Sequence, residues 1–136
     1  MTTQIVDEGH EKTVFAGGGS REIIPGKGRP DLTPPEAEHE LEVHFEAGAN
    51  KYEARNWEKG LPLSTFFNSG MRHFRDSFKK GLVNENHEAA AHWNTACYLA
   101  TLRRIQNGLL PCELDDRPIP HHKKGHTHVD PSHLDS

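Results

Sequence analysis

Between Thr65 and Lys80 every large apolar residue falls at helical spacing: Phe66, Phe67, Met71, Phe74 and Phe78, with Gly70 in their midst. Positions three and four apart share one face of an α-helix, so the pattern commits this stretch to a helix with an apolar stripe. Gly70 costs about 1 kcal/mol against Ala inside a helix, and close approach of another helix is the natural compensation. Ser64 stands where a cap is needed and Gly81 where the helix should end.

The flanking segments read the same way. Thr33-Pro34-Pro35-Glu36 opens a first helix, with Thr33 as cap, a proline in the first turn and early glutamates at the positive end of the dipole. It is expected to run to about Ala47, with Leu41 and Phe45 as its seam and Gly48 as its stop. After Asn84 a third helix is expected from Glu85 to Gln106. Its Ala89-Ala90-Ala91 run lets a neighbour approach closely, and Asn107-Gly108 closes it. The class is therefore all-α. Residues 1–30 read as an arm and basic loop, 31–108 as the helical domain that carries the chemistry, and 109–136 as a C-terminal extension. The extension, with His121, His122, His126, His128 and His133, reads as a polar, loosely packed or disordered tail.

Only 33% of the 136 residues are apolar, which makes a thin core for one domain. A bundle of this kind completes its burial against further copies of itself, so a homo-oligomer, dimer or tetramer, is expected. The net charge of −4 argues against general nucleic-acid binding. Cys97 and Cys112 lack metal-type spacing; Cys97 reads as a buried thiol and no disulfide framework is expected. Neither a membrane-length apolar run nor a secretion signal is visible, so the expectation is a cytoplasmic protein without a membrane partner.

Glu38, Glu42 and Glu46 repeat every four residues along one face of the first helix. Like charges at that spacing repel, so they are either simply solvated or compensated by a cation. Glu85 and Glu88 form a second acidic pair, and carboxylates on facing helices are one way a bundle holds magnesium or manganese. His87 could orient a glutamate, bind phosphate or only hydrogen-bond. Arg72, beside His73, suits fork-like phosphate contacts, and Lys27 and Arg29 could reach an anion from the basic loop. Asn56 and Trp57 offer an amide and an aromatic face to a base; Trp57 serves equally well as core.

Several strings then carry a family likeness: Gly26-Lys27-Gly28-Arg29, Lys51-Tyr52, Arg55-Asn56-Trp57-Glu58-Lys59-Gly60, Arg72-His73, Trp93-Asn94 and Glu113-Leu114-Asp115-Asp116. From about Ser20 to Pro118 the chain resembles dATP/dGTP diphosphohydrolases, a MazG-like all-helical group, with phage enzymes of the 2-aminoadenine pathway as the nearest likeness. The resemblance implies metal-dependent hydrolysis of a purine deoxynucleoside triphosphate, dGTP or dATP, to monophosphate and pyrophosphate, in the host cytoplasm if phage-encoded. It implies Mg2+ or Mn2+ on Glu42, Glu46, Glu85 and Glu88, with Glu38 or Glu88 orienting water. It further implies a nucleotide held by Lys27, Arg29, Lys51, Tyr52, Arg55, Asn56, Trp57, Arg72, His73, His87 and Asn94. Where the family tends to read Asp-Glu-Asp-His, this chain has Asn84-Glu85-Asn86-His87. Two acids have become amides, so the metal ligands need not be the usual ones. A non-catalytic nucleotide-binding or regulatory protein is the alternative, and an acidic interaction protein a third reading.

Overall fold

The computed structural model describes residues 2–7 and 10–119. They fall into two compact units that divide between Pro34 and Pro35, and each is described by itself.

The first unit holds three antiparallel strands in the order β1 (Thr2–Asp7), β2 (His10–Val14), β3 (Ser20–Ile23). An arm and loop were expected here. The glycines that suggested flexibility instead make a tight hairpin turn between β2 and β3. The Phe15 N–H donates to the Gly19 carbonyl at 2.8 Å, and Gly18 takes φ +86°, which glycine adopts without strain. The turn sets the register, with Thr13 opposite Arg21 and Val14 opposite Ser20.

The second unit is all-α, as expected: α1 (Pro35–Lys51), α2 (Leu63–Lys80) and α3 (His87–Gln106), with short 3-10 turns at Asn56–Lys59 and Cys112–Leu114. α2 and α3 run antiparallel: Gly70 lies against Asn94, and about a turn further along α2, His73 meets His87. A Cβ on Gly70 would come within 3.0 Å of the Asn94 Cβ, so the glycine is what permits this approach. No described helix is long and apolar enough to cross a membrane.

The helix ends differ from expectation in instructive ways. α1 passes through Gly48 to Lys51, because one glycine weakens a helix without ending it. Ser64 is not a cap. It lies in the first turn of α2, where its N–H donates to Asp116 Oδ1 at 3.0 Å and its hydroxyl bonds Asp116 Oδ2. The cap of α2 is thus borrowed from 52 residues downstream. α3 starts at His87, with the Asn86 side chain accepting from the Ala89 N–H at 3.0 Å.

The segment after Gly108 also departs from the loose tail expected. Leu110, Cys112 and Leu114 close over a core of Leu63, Leu102 and Ile105, with Tyr98 beside them. Gly60, at φ +99°, packs so tightly under this segment that a Cβ would sit 2.8 Å from Leu114 Cδ1. Both cysteines are buried and free, and burial pushes the Cys97 thiol up to about 12. The five tail histidines lie outside the described residues.

Removing the borrowed cap should be visible in a melt. Asp116→Ala should cost about 1 kcal/mol, the usual size of a lost helix cap, and lower Tm by several degrees, while Asp116→Asn keeps much of it. An unchanged Tm for Asp116→Ala, read by circular dichroism, would mean solvent caps α2 equally well.

Candidate active site

α1 lays Leu41, His44, Phe45 and Gly48, spaced as one helical face, toward the other helices. Phe45 sits 5.7 Å from the Trp93 ring and 6.1 Å from the Trp57 ring, centre to centre, and Phe66 of α2 adds an edge contact to Trp93 at 6.2 Å. Such tilted aromatic contacts fix the angle at which α1 meets the α2–α3 pair. Beside this cluster opens a cavity of about 600 Å³.

Much of its lining is aromatic or amide, with Phe45, Tyr52, Asn56, Trp57, Trp93 and Asn94. The turn that presents Asn56 and Trp57 follows Arg55, which holds a left-handed φ of 64°, and Arg55 bonds Glu58 at 3.0 Å. Glu58 also reaches Arg104, whose guanidinium lies 4.8 Å over the Trp57 ring. Trp57 is therefore braced from behind by a cation and stays half-buried. Lys51 lines the cavity mouth, its ammonium 5.3 Å from the Tyr52 ring. Asn94 donates to the Ala90 carbonyl at 2.8 Å, which orients its amide.

The lining also carries His44, His73 and Glu85, the His44 ring 5.7 Å from that of Trp93, centre to centre. His73 Nδ1 and His87 Nδ1 are 2.9 Å apart, and Glu85 Oε1 stands 3.9 Å from the first and 3.7 Å from the second. His87 is buried and donates from Nε2 to Asn84 Oδ1 at 2.9 Å. An amide oxygen only accepts, so the neutral ring holds its lone pair at Nδ1, facing His73 and Glu85. Burial, and the nearby His73, press the His44 imidazole below its ordinary 6.5, with Glu85 pulling weakly the other way. His44 thus keeps a free lone pair at neutral pH.

The structure gathers Lys51, Tyr52, Arg55, Asn56, Trp57, His73, Glu85 and Asn94 around one space, with His87 just behind. It does not bring Glu42 and Glu46 to Glu85. Both are exposed and line no part of the cavity, since they project more than about 100° round α1 from the Leu41–His44–Phe45 face. Glu38 and Glu88 are likewise exposed; Glu88 sits in the first turn of α3, where it suits the helix dipole. Arg72 lies on the opposite side of α2, in a groove with Met71, Phe74 and Phe78. Lys27 and Arg29 belong to the first unit, where Arg29 forks onto Asp31 at 2.7 and 3.1 Å. His44 was missed in the sequence, although it falls three residues from Leu41 on the same helical face.

Asn84 and Asn86 have their own tasks. Asn84 holds His87; Asn86 caps α3 and donates to Glu40 at 2.8 Å, tying α1 to the start of α3.

The helical unit thus encloses a cavity whose size suits a small polar ligand and whose lining combines aromatic, amide, imidazole and carboxylate groups. Residues 18–109, more than half of the chain, match the family model described as dATP/dGTP diphosphohydrolase, N-terminal, and the chain belongs to that family, whose members are nucleoside triphosphate pyrophosphohydrolases. No curated protein and no solved structure matches the chain.

The lowered His44 basicity has a definite consequence for stability. Well above pH 6.5, the ordinary histidine value, neither folded nor unfolded His44 binds a proton, so it contributes no pH dependence there. As pH falls below that value the unfolded chain takes up the proton first, and stability is lost. In the metal-free protein, wild type should therefore lose more Tm between pH 7 and 5.5 than His44→Phe. Equal losses would mean His44 titrates normally.

Proposed function

We propose that this protein cleaves purine deoxynucleoside triphosphates, dGTP foremost and dATP with it, between the α and β phosphates, releasing the monophosphate and pyrophosphate. The observation that carries this reading is a single cavity lined both by aromatic and amide groups and by the His73 and Glu85 of a His/Glu cluster. Its volume of about 600 Å³ lies within the range of small-molecule sites. The base stacks against Trp57 and Phe45, where Asn56 and Asn94 offer amide hydrogen bonds to its edge. Lys51 and Arg55 at the mouth neutralise phosphate oxygens, Arg55 in fork geometry. The neutral His44 imidazole accepts the proton of the attacking water as a new bond forms at the α phosphorus and the bond to pyrophosphate breaks.

Of the Mg2+ or Mn2+ expected of such an enzyme, Mn2+ suits the donor set here, with Glu85 supplying an oxygen and His73 and His87 nitrogens. When bound, it would neutralise the polyphosphate and polarise the reacting phosphoryl group. In the chain's biological setting, the dGMP formed would supply 2-aminoadenine nucleotide synthesis in a phage-infected cell. This part rests on the family likeness alone.

The reading includes a homo-oligomer. On α2, Phe67, Met71, Phe74 and Phe78 point outward at spacings of four, three and four, and Phe78 is 85% exposed. That is the seam a second helix would cover. Phe74→Glu should shift sedimentation from oligomer to monomer at micromolar concentration. A wild type that already sediments as a monomer would remove the oligomer from the proposal.

The activity itself is tested by product analysis with dGTP and each metal. dGMP and pyrophosphate are expected in equal amounts. Glu85→Gln should lower turnover by about 100-fold or more with little change in the metal-free melt, because Glu85 is exposed and braces no packing. Nucleotide binding without any product would favour the regulatory alternative. An equal fall for Glu46→Gln would favour an acid cluster assembled between copies.

A further inference from the structure

The His73–Glu85–His87 group has a shape that goes beyond a chance meeting of polar residues. With separations of 2.9, 3.7 and 3.9 Å, the circle through Nδ1, Nδ1 and Oε1 has a radius of about 2.1 Å, which is the bond length of a first-row divalent metal to imidazole and carboxylate. One ion can therefore touch all three atoms with scarcely any movement. The supporting shell is also in place. Asn84 Oδ1 accepts a hydrogen bond from His87 Nε2–H, which leaves Nδ1 of the neutral ring as the nitrogen available to a metal, as metal-bound histidines usually require. His87 is held by burial, while Glu85 is exposed and leaves the opposite side open toward the cavity.

We propose that His73, Glu85 and His87 form a three-ligand site for a transition-metal dication of the Mn2+, Co2+ or Zn2+ class, beside the cavity. Two imidazoles and one carboxylate discriminate against Mg2+, which prefers an all-oxygen shell and parts reluctantly with its waters. Three protein ligands leave positions free for water and phosphate oxygens. The proposal deepens the hydrolase reading and rests on it for the ion's purpose, though the site's existence stands on geometry alone. Asn84 and Asn86 position the nitrogen ligand and the helix that carries it, while Glu85 supplies the negative charge.

The test is a Mn2+ titration of the nucleotide-free, full-length protein, with free ion followed by electron paramagnetic resonance. Because wild type and variants share the same tail histidines, ions bound there cancel in the comparison. One tight Mn2+ should be lost, or weakened at least tenfold, in both E85Q and H73Q, and Asn84→Ala should weaken it by about 10- to 100-fold. Equimolar Mg2+ should not displace it. Should H73Q fail to fold, E85Q decides, since its side chain is exposed and isosteric. Wild-type Mn2+ binding in E85Q, or displacement by equimolar Mg2+, overturns the proposal. Product analysis on the same preparations separates the two readings. If dGTP is cleaved while E85Q keeps its Mn2+, only the metal assignment falls. If E85Q loses Mn2+ but wild type makes no dGMP, the site stands and the hydrolase reading falls.

Discussion

The close approach of α2 and α3 at Gly70 is the constraint on which the rest depends. With no side chain at that position, the Asn94 Cβ comes to within 3.0 Å of where a Cβ would stand. About one turn along, the same approach brings the Nδ1 atoms of His73 and His87 to 2.9 Å. A larger residue would wedge the helices apart by a few tenths of an ångström or more and lengthen the His73–His87 contact. The helix-propensity cost of the glycine, about 1 kcal/mol, is offset by what it allows nearby.

α1 is joined to this pair mainly through aromatic rings. Trp93 collects His44, Phe45 and Phe66 around it, with centroids at 5.7 to 6.2 Å. Apolar contacts of this kind hold a wall of the cavity while leaving its floor for polar groups. The Arg104–Glu58–Arg55 chain continues the brace behind Trp57.

The helices were legible because their period and their breakers agree, and the meaning of Gly70 was legible for the same reason. The cavity residues from Lys51 to Trp57 and Asn94 were legible as well, from strings shared with a known family. Leu41 and Phe45 were legible as the inward seam of α1, but not that the glutamate row would then be turned away from the cavity. Glu38, Glu42 and Glu46 make a regular row, and so do Leu41, Phe45 and Gly48 with His44 beside them. Packing of His44 and Phe45 against Trp93 places the second row inside. The strands of the first unit escaped notice because a glycine-rich run looks alike in a flexible linker and in a tight hairpin. Asp116 escaped notice because no local pattern announces a cap 52 residues away.

That distant cap bears on how the chain comes to be folded. On the ribosome, α2 emerges long before Asp116, so its first turn must wait with unpaired amides while α3 and the following turn are made. The core closes on the same schedule, since Leu110, Cys112 and Leu114 arrive last. Local helical contacts form quickly, whereas a closure between residues this far apart is slow. The matched family region ends at residue 109, but the cooperative folding unit extends beyond it. A nascent chain stopped at that boundary would hold the cavity's residues without the clasp that fixes the beginning of α2.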